Sequence, residues 1–445
     1  MVSVDRRKRL IGAFAGAVVF AGALGSDSVA GPAGRPAIVD FAYAVVAQPD
    51  GKLVVAGSSG NRREGRRHMA LARYTTRGRL DRSFGASGKV LTSFGSRSQS
   101  RARAVAVQAD GKVVLAGEVN PRQGQAEFGL ARYTARGRLD PTFGQGGKVV
   151  TRFAAGHSGS EAGALAIQPD GKIVALGPWF KSAISGPVSI ALARYTRRGR
   201  LDPSFGHGGK LVASFRLRSE ASPGSLLIQR DGKLIVTGTA FIDPQSANGY
   251  FAVALARYNT DGTLDRSFGR GGRVVTKLFE DGASAGSAVL QGDGKIVVDA
   301  YDGARNYLVR YTADGELDAS FGQGGKAVAS KRGLGLLALQ RDGKFIVAGS
   351  VTAVHGRAFF LRRYTQKGDV DSSFGRGGKV FTDFGSPARA DALAVQANDK
   401  IVVAGTRGFK DFAVARYTSD GNLDGNFGSG GKVTTDFASA WANRR

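Results

Sequence analysis

A seven-bladed β-propeller of four-stranded antiparallel blades, an all-β fold, is what the sequence predicts, and three observations predict it. First, a phrase of Arg-Tyr, Gly, Leu/Val-Asp, Phe-Gly and Gly-Lys/Arg recurs seven times in 445 residues, with its tyrosines at Tyr74, Tyr133, Tyr195, Tyr258, Tyr311, Tyr364 and Tyr417. Second, each unit splits two short apolar runs with a turn dipeptide, as Asp50-Gly51 splits Ala44–Gln48 from Lys52–Gly57. Third, those runs are apolar at consecutive positions, which means burial on both faces. Repetition on this scale sets the architecture ahead of any single motif.

The N-terminal segment, residues 1–30, reads as a secretory signal. Arg6-Arg7-Lys8-Arg9 is its charged region, and Leu10 to Leu24 is an uncharged stretch too short and Gly-rich for a membrane span. Ser28-Val29-Ala30 and Ala23-Leu24-Gly25 both offer small residues for cleavage. Twin-arginine export through Arg6-Arg7 and an uncleaved anchor stay open as alternatives. No stable membrane span is expected once the signal is removed.

Residues 31–445 then form one propeller domain of seven repeats, at about 37–94, 95–153, 154–215, 216–278, 279–330, 331–384 and 385–437. In the first unit the strands are Ala44–Gln48, Lys52–Gly57, Met69–Thr75 and Gly88–Phe94. The Asp-Gly dipeptides predict two-residue hairpins with positive φ at both positions. The seventh copy has Asn398-Asp399, residue types that tolerate that conformation. A parallel β-helix is the rival architecture, but it needs no tight hairpin in every unit. Pro36–Phe41 resembles the repeat end Lys432–Phe437, so one terminal strand is expected to complete the blade at the other end and lock the ring.

Each Arg of the Arg-Tyr pair precedes the Asp of the Leu/Val-Asp pair by eight residues, from Arg73/Asp81 to Arg416/Asp424. That fixed spacing predicts a structural bolt, a hydrogen-bonded ion pair or turn-capping Asp in which a planar guanidinium suits bidentate contact. The Phe three residues after each Asp is expected to anchor the turn between blades. Phe-Gly-x-Gly-Gly-Lys is not a phosphate loop, because its glycines open a strand rather than a helix.

No cysteine is present, which excludes disulfides and thiol chemistry. The histidines His68, His157, His207 and His355 lack metal-ligand spacing, so neither metal nor cofactor is expected. No catalytic constellation is legible. Paired carboxylates leave no mark in a single sequence, so an enzyme with a site in the axial pocket stays open beside a non-catalytic binding protein. The net charge of +27 favours anionic partners, foremost an acidic polysaccharide or another anionic cell-envelope polymer, with nucleic acid a lesser fit. A secreted or envelope-associated monomer is expected.

In an up-and-down blade alternate connections share one edge. The uniform turns therefore share one face, and the variable connections share the other, where binding usually lives. The candidate residues on that face are Arg62, Arg63, Arg66 and Arg67 in one loop, Trp179, Phe180 and Lys181 in blade 3, and Phe241 and Tyr250 in blade 4. Arg101, Arg103, Arg216 and Arg218 are assigned to inter-blade loops. Arginine mixed with aromatic residues suits anionic polymers.

The stretches VQADGKVVLAG and LARYTARGRLDPTFGQGGKVV resemble the delta-60 repeat family of bacterial β-propellers, and the resemblance covers essentially the whole chain after the signal. It implies the propeller fold. It supplies no activity and no site residues.

Overall fold

The computed structural model describes residues 38–61, 65–96, 98–120, 125–153, 159–180, 188–215, 220–243, 249–331, 334–408 and 410–442. The signal expected over residues 1–30 lies outside them. Seven antiparallel blades follow one another along the chain, each with its strands in sequence order. Blade 1 is Ile38–Ala47, Leu53–Asn61, Arg66–Tyr74 and Lys89–Thr92. In blade 3 the first strand is broken into Gly159–Ser160 and Ala164–Ile167, both paired with Ile173–Phe180. No described helix is long and apolar enough to cross a membrane.

The turn after each first strand differs from the expected hairpin. Gly51 N–H donates to Gln48 O at 2.9 Å and Gln48 N–H to Lys52 O at 2.8 Å, which makes a three-residue loop. Only its last residue needs the left-handed region: Gly51 has φ 79°, and Asp399 takes φ 59° in blade 7. Pro49 fits because it sits where a type I turn wants φ near −65°.

Second and third strands are buried along nearly their whole length, as in Leu53–Asn61 and Glu127–Tyr133. They form the hydrophobic layers between blades. First strands are only partly buried, because they are the inner edge of each blade and line the axis. Consecutive apolar runs thus mean two-faced burial for the second strand and channel lining for the first.

Ring closure differs from the expected strand exchange. Ile38–Phe41 is the leading part of blade 1's own first strand, paired with Ser58–Asn61, and Lys432–Thr435 is blade 7's own fourth strand. The seam is held as the other interfaces are, by Gly428 N–H to Arg77 O at 2.9 Å, a bond that every interface has, and by Tyr74 OH to Thr435 Oγ1 at 2.8 Å, a bond that several have. A short helix, Ala438–Ala442, adds a clasp. Trp441 Nε1 donates to Ser59 Oγ at 2.7 Å, and Phe437 N–H donates to Asp40 Oδ2 at 2.8 Å.

The tyrosines of the repeat phrase tie neighbouring blades together. Tyr133 bonds Thr92 at 2.6 Å, Tyr195 bonds Thr151 at 2.8 Å and Tyr417 bonds Thr382 at 2.6 Å, each in the preceding blade. Blade 3 has Ala213 at the threonine's place, and the buried Tyr258 hydroxyl has no hydrogen-bond partner. Ala213→Thr is expected to raise stability by roughly 0.5–1.5 kcal/mol by supplying it. A higher urea midpoint at unchanged m-value checks this.

Blade 5 carries a second irregularity. Asp299 occupies a core position that holds Ala56, Ala116 and Ala404 in other blades. It is 2% exposed, and its oxygens accept from Asn306 Nδ2 at 3.1 and 3.2 Å. Burial pushes its carboxyl well above the usual range, with the Asn306 bond opposing. The folded state therefore favours the neutral acid, while the unfolded chain ionises it above about pH 4. Stability from this group is full below that pH and falls as pH rises. Asp299→Asn is expected to gain roughly 1–3 kcal/mol at alkaline pH and little at acid pH, read from denaturation at both.

Candidate functional site

The phrase that repeats builds the blades. In every blade the Arg Nε lies 2.7 to 3.0 Å from the Asp Oδ2. The contact is not bidentate: Asp81 Oδ1 instead accepts from the Ser83 amide and hydroxyl at 3.0 and 2.7 Å. The other guanidinium nitrogens of Arg73 reach Ser83 and the Ala135 carbonyl of the next blade. The plane stacks on Phe84 at 4.3 Å, with the same stack at 4.5 to 4.9 Å in the other six blades. Asp81 is therefore both ion-pair partner and turn cap. The Lys after each Asp-Gly turn adds a second cation, as Lys52 Nζ does 3.2 Å from Asp81.

The blades differ from one another most sharply at one position. Five residues before the turn glutamine, the first strand slips register by a bulge, as between Ala42 and Ala44, Ala102 and Ala104, and Ala390 and Ala392. A bulge takes one residue out of the ladder and re-aims its side chain. In blades 3 to 6 this residue is Gly163, Gly224, Gly286 or Gly335. In the consecutive blades 7, 1 and 2 it is Asp391, Tyr43 and Arg103. The axial ring thus has a bare arc and a charged, aromatic arc.

Arg103 is 6% exposed and its guanidinium stacks on Tyr43 at 4.6 Å. It interacts electrostatically with Glu161, Tyr43, Glu118 and Asp391, from four different blades. Only a side chain at the axis reaches so many. Arg101 NH1 donates to Glu118 Oε1 at 2.5 Å, and Arg389 Nε donates to Asp391 Oδ1 at 2.7 Å. Phe41 and Tyr43 lie parallel at 6.2 Å.

Glu118 and Glu161 are in hydrogen-bond contact. Burial and the Glu118 charge push the Glu161 carboxyl up to about 8. Against burial, Arg101, the Glu161 bond and Arg103 hold Glu118 below the usual range. One proton is shared, because two carboxylates in contact do not both ionise. Burial lifts Asp391 to about 6, with Arg389, Arg103 and Arg357 opposing.

The expected site residues divide. Arg67, Arg101 and Arg103 come together around Glu118. Arg101 and Arg103 lie in the first strand Gln99–Val107, not in a loop. A strand facing a wet channel tolerates polar residues, so its sequence does not look apolar. Arg66 is exposed at the start of a third strand, and Arg67 stands 6.0 Å from the Phe41 ring. Trp179 and Phe180 end a second strand rather than forming a loop tip, and Trp179 packs on the core between blades 2 and 3. Phe241 stacks on Phe251 at 4.7 Å, and Tyr250 takes the Lys277 ammonium at 4.6 Å. These two belong to a separate patch on blade 4. Arg62, Arg63, Lys181, Arg216 and Arg218 lie outside the described residues.

Sequence reasoning missed Tyr43, Glu118, Glu161, Arg389 and Asp391. A signal existed for two of them: aligning the repeats on the turn glutamine shows four glycines and three large polar or aromatic residues in one column.

No curated protein matches the chain at a significant level. Among solved structures, a protein of unknown function from Dyadobacter fermentans aligns at 12% identity over 74% of this chain and 93% of its own, with a TM-score of 0.45. The BP39L lectin from Burkholderia pseudomallei aligns at 15% identity over 88% of this chain and 99% of its own, with a TM-score of 0.44. These likenesses are distant and concern the fold alone. The family described as a domain of unknown function (DUF5122) beta-propeller matches seven times, at residues 48–84, 108–143, 168–205, 229–268, 291–321, 340–374 and 396–427. Those matches take up more than half of the sequence, one in each blade, and the chain belongs to that family.

Proposed function

We propose that the chain is a secreted, non-catalytic, monomeric propeller that binds an anionic extracellular or cell-envelope polymer at the axial mouth of its variable face. The delta-60 resemblance of its repeats is part of this reading. The observation that carries it is the convergence, among the described residues, of Arg101, Arg103 and Arg67 on Glu118 and of Arg389, Arg103 and Arg357 on Asp391. That compact cluster of fixed guanidinium groups, set beside the Phe41/Tyr43 rings, favours an acidic polysaccharide over nucleic acid, which needs a longer cationic track.

A binding screen of envelope polymers and acidic glycans at two salt concentrations tests it. A discrete ligand whose binding survives the higher salt supports the reading, since simple charge tethering is screened away. Arg389→Ala is expected to weaken that ligand at least about tenfold. A screen in which every interaction vanishes at the higher salt counts against it. N-terminal sequencing of protein from the culture medium tests secretion.

One observation favours an enzyme instead, a lyase or hydrolase: the proton shared by Glu118 and Glu161. Their contact is closer than the roughly 5–9.5 Å between carboxyls in glycoside hydrolases, which favours binding. Release of new chain ends from a bound polymer, lost in Glu161→Gln, would reverse that preference.

A further inference from the structure

We infer that the axial mouth is the subsite for the oxyanion group of the ligand, a sugar carboxylate or a phosphodiester, and that seating this group keeps a proton on Glu161. The inference rests on the anionic ligand proposed above.

The geometry begins with the break in blade 3. Between Ser160 and Gly163 the first strand leaves its own ladder, and Ala162 N–H donates instead to Gly117 O of blade 2 at 3.2 Å. That bond sets Glu161 against Glu118, the residue after Gly117. Glu161 is still partly exposed at the axis, as are Tyr43 and Arg101.

Among the described residues, the groups near Glu161 come from blades 2, 3 and 4. Blade 2 presents Glu118, Arg101 and Arg103. The second strand of blade 3 presents the uncharged Trp179 and Phe180 beside Ser160 and Gly159. Blade 4 brings one acid near this level, Glu220, at the start of its first strand, and burial raises that carboxyl. Asp391 and Tyr43 reach the cluster through Arg103.

An incoming oxyanion and an ionised Glu161 compete for the same two guanidinium groups, Arg101 and Arg103. With the proton on Glu161, the cations face Glu118 and the ligand. Without it, three negative groups crowd one pair of cations, two of them in direct contact. Binding and deprotonation are therefore coupled, and coupling is reciprocal. Affinity falls as pH rises past the range in which Glu161 holds its proton, and binding in that range takes up a proton. No covalent step is involved.

Calorimetric titration of the full chain with an oligouronate and with an oligo(glycerol phosphate) of matched length tests this. At about pH 9 the better probe is expected to bind roughly tenfold more weakly than at about pH 7. Near about pH 8 the heats should differ between buffers of unlike ionisation enthalpy, showing proton uptake. Glu161→Gln should bind at both pH values as the wild type does at the lower one. Glu118→Gln should move the fall in affinity to lower pH, because the contact that retains the proton is gone. The arm that binds identifies the source of the oxyanion. Tight binding with no pH dependence, or the same pH profile in Glu161→Gln, overturns this inference and leaves the proposed function standing. Binding of neither probe at either pH overturns both.

Discussion

Replacing Arg257 by alanine is expected to cost roughly 3–5 kcal/mol, the loss seen when one partner of a buried ion pair is removed. Arg257 Nε meets Asp265 at 2.7 Å, NH1 meets the Ala313 carbonyl of the next blade at 2.8 Å, and NH2 meets Ser267 at 3.0 Å. Its plane lies 4.7 Å from the Phe268 ring. Alanine leaves the Asp265 carboxylate with Lys233 as its remaining cation, and opens a gap over the phenylalanine. Lys233→Ala should cost under about 1 kcal/mol, because that side chain is 30% exposed and water screens the pair. Guanidinium denaturation of the two variants checks the contrast, and equal losses would contradict the bolt.

The bolt also has an acid limit. The Ser83 and Lys52 bonds and the Arg73 charge outweigh burial and hold Asp81 at about 2, below an ordinary carboxyl. Such a group contributes stability above its unfolded pKa and loses it as pH falls toward the folded value. Asp140, Asp202 and Asp424 are lowered in the same way. The melting temperature should therefore fall steeply below about pH 4, more steeply than for a protein with one such carboxylate.

Gly57→Ala is the second large expected effect, about 3 kcal/mol or more. A Cβ at Gly57 would stand 1.8 Å from the Phe41 carbonyl oxygen and 2.9 Å from the Ala42 Cα. Both are backbone atoms of the bulged first strand, so relief requires moving the bulge and Tyr43 with it. Gly292→Ala is the control, since a Cβ there meets nothing within 4 Å. It should change stability by under about 0.5 kcal/mol. Paired urea melts read both, and ligand binding should suffer only in Gly57→Ala.

These residues show which parts of the molecule are legible in one sequence. Arg257 and Asp265 are readable because all blades solve the same packing problem, and spacing exposes a solution used seven times. The second strands are readable because burial on both faces leaves an uninterrupted apolar run. The turn type is not legible, because Asp-Gly gives the same two letters in a two-residue or a three-residue loop, and only the hydrogen bonds of Gln48 decide. Ring closure is not legible either, because Ile38–Phe41 looks like a repeat end, and sequence similarity does not say which partner a strand pairs with. Arg101 and Arg103 look like loop residues in the sequence, and the structure puts them in a strand. Glu118 and Glu161 escaped because they sit at different repeat positions in different blades, and the fold alone joins them.

Because no strand is lent across the seam, each unit of the chain is a finished piece. Duplicating or deleting one such stretch of gene in frame would leave no blade half built. In propellers closed by a borrowed strand, the same event must preserve which end lends to which. Here the count of blades is free to drift by whole units, checked only by whether the ring still meets itself and whether the Phe437–Trp441 clasp still finds blade 1. A bulge position filled in three adjacent blades and bare glycine in the other four is compatible with such a history: identical copies first, and a few private substitutions near the axis afterwards.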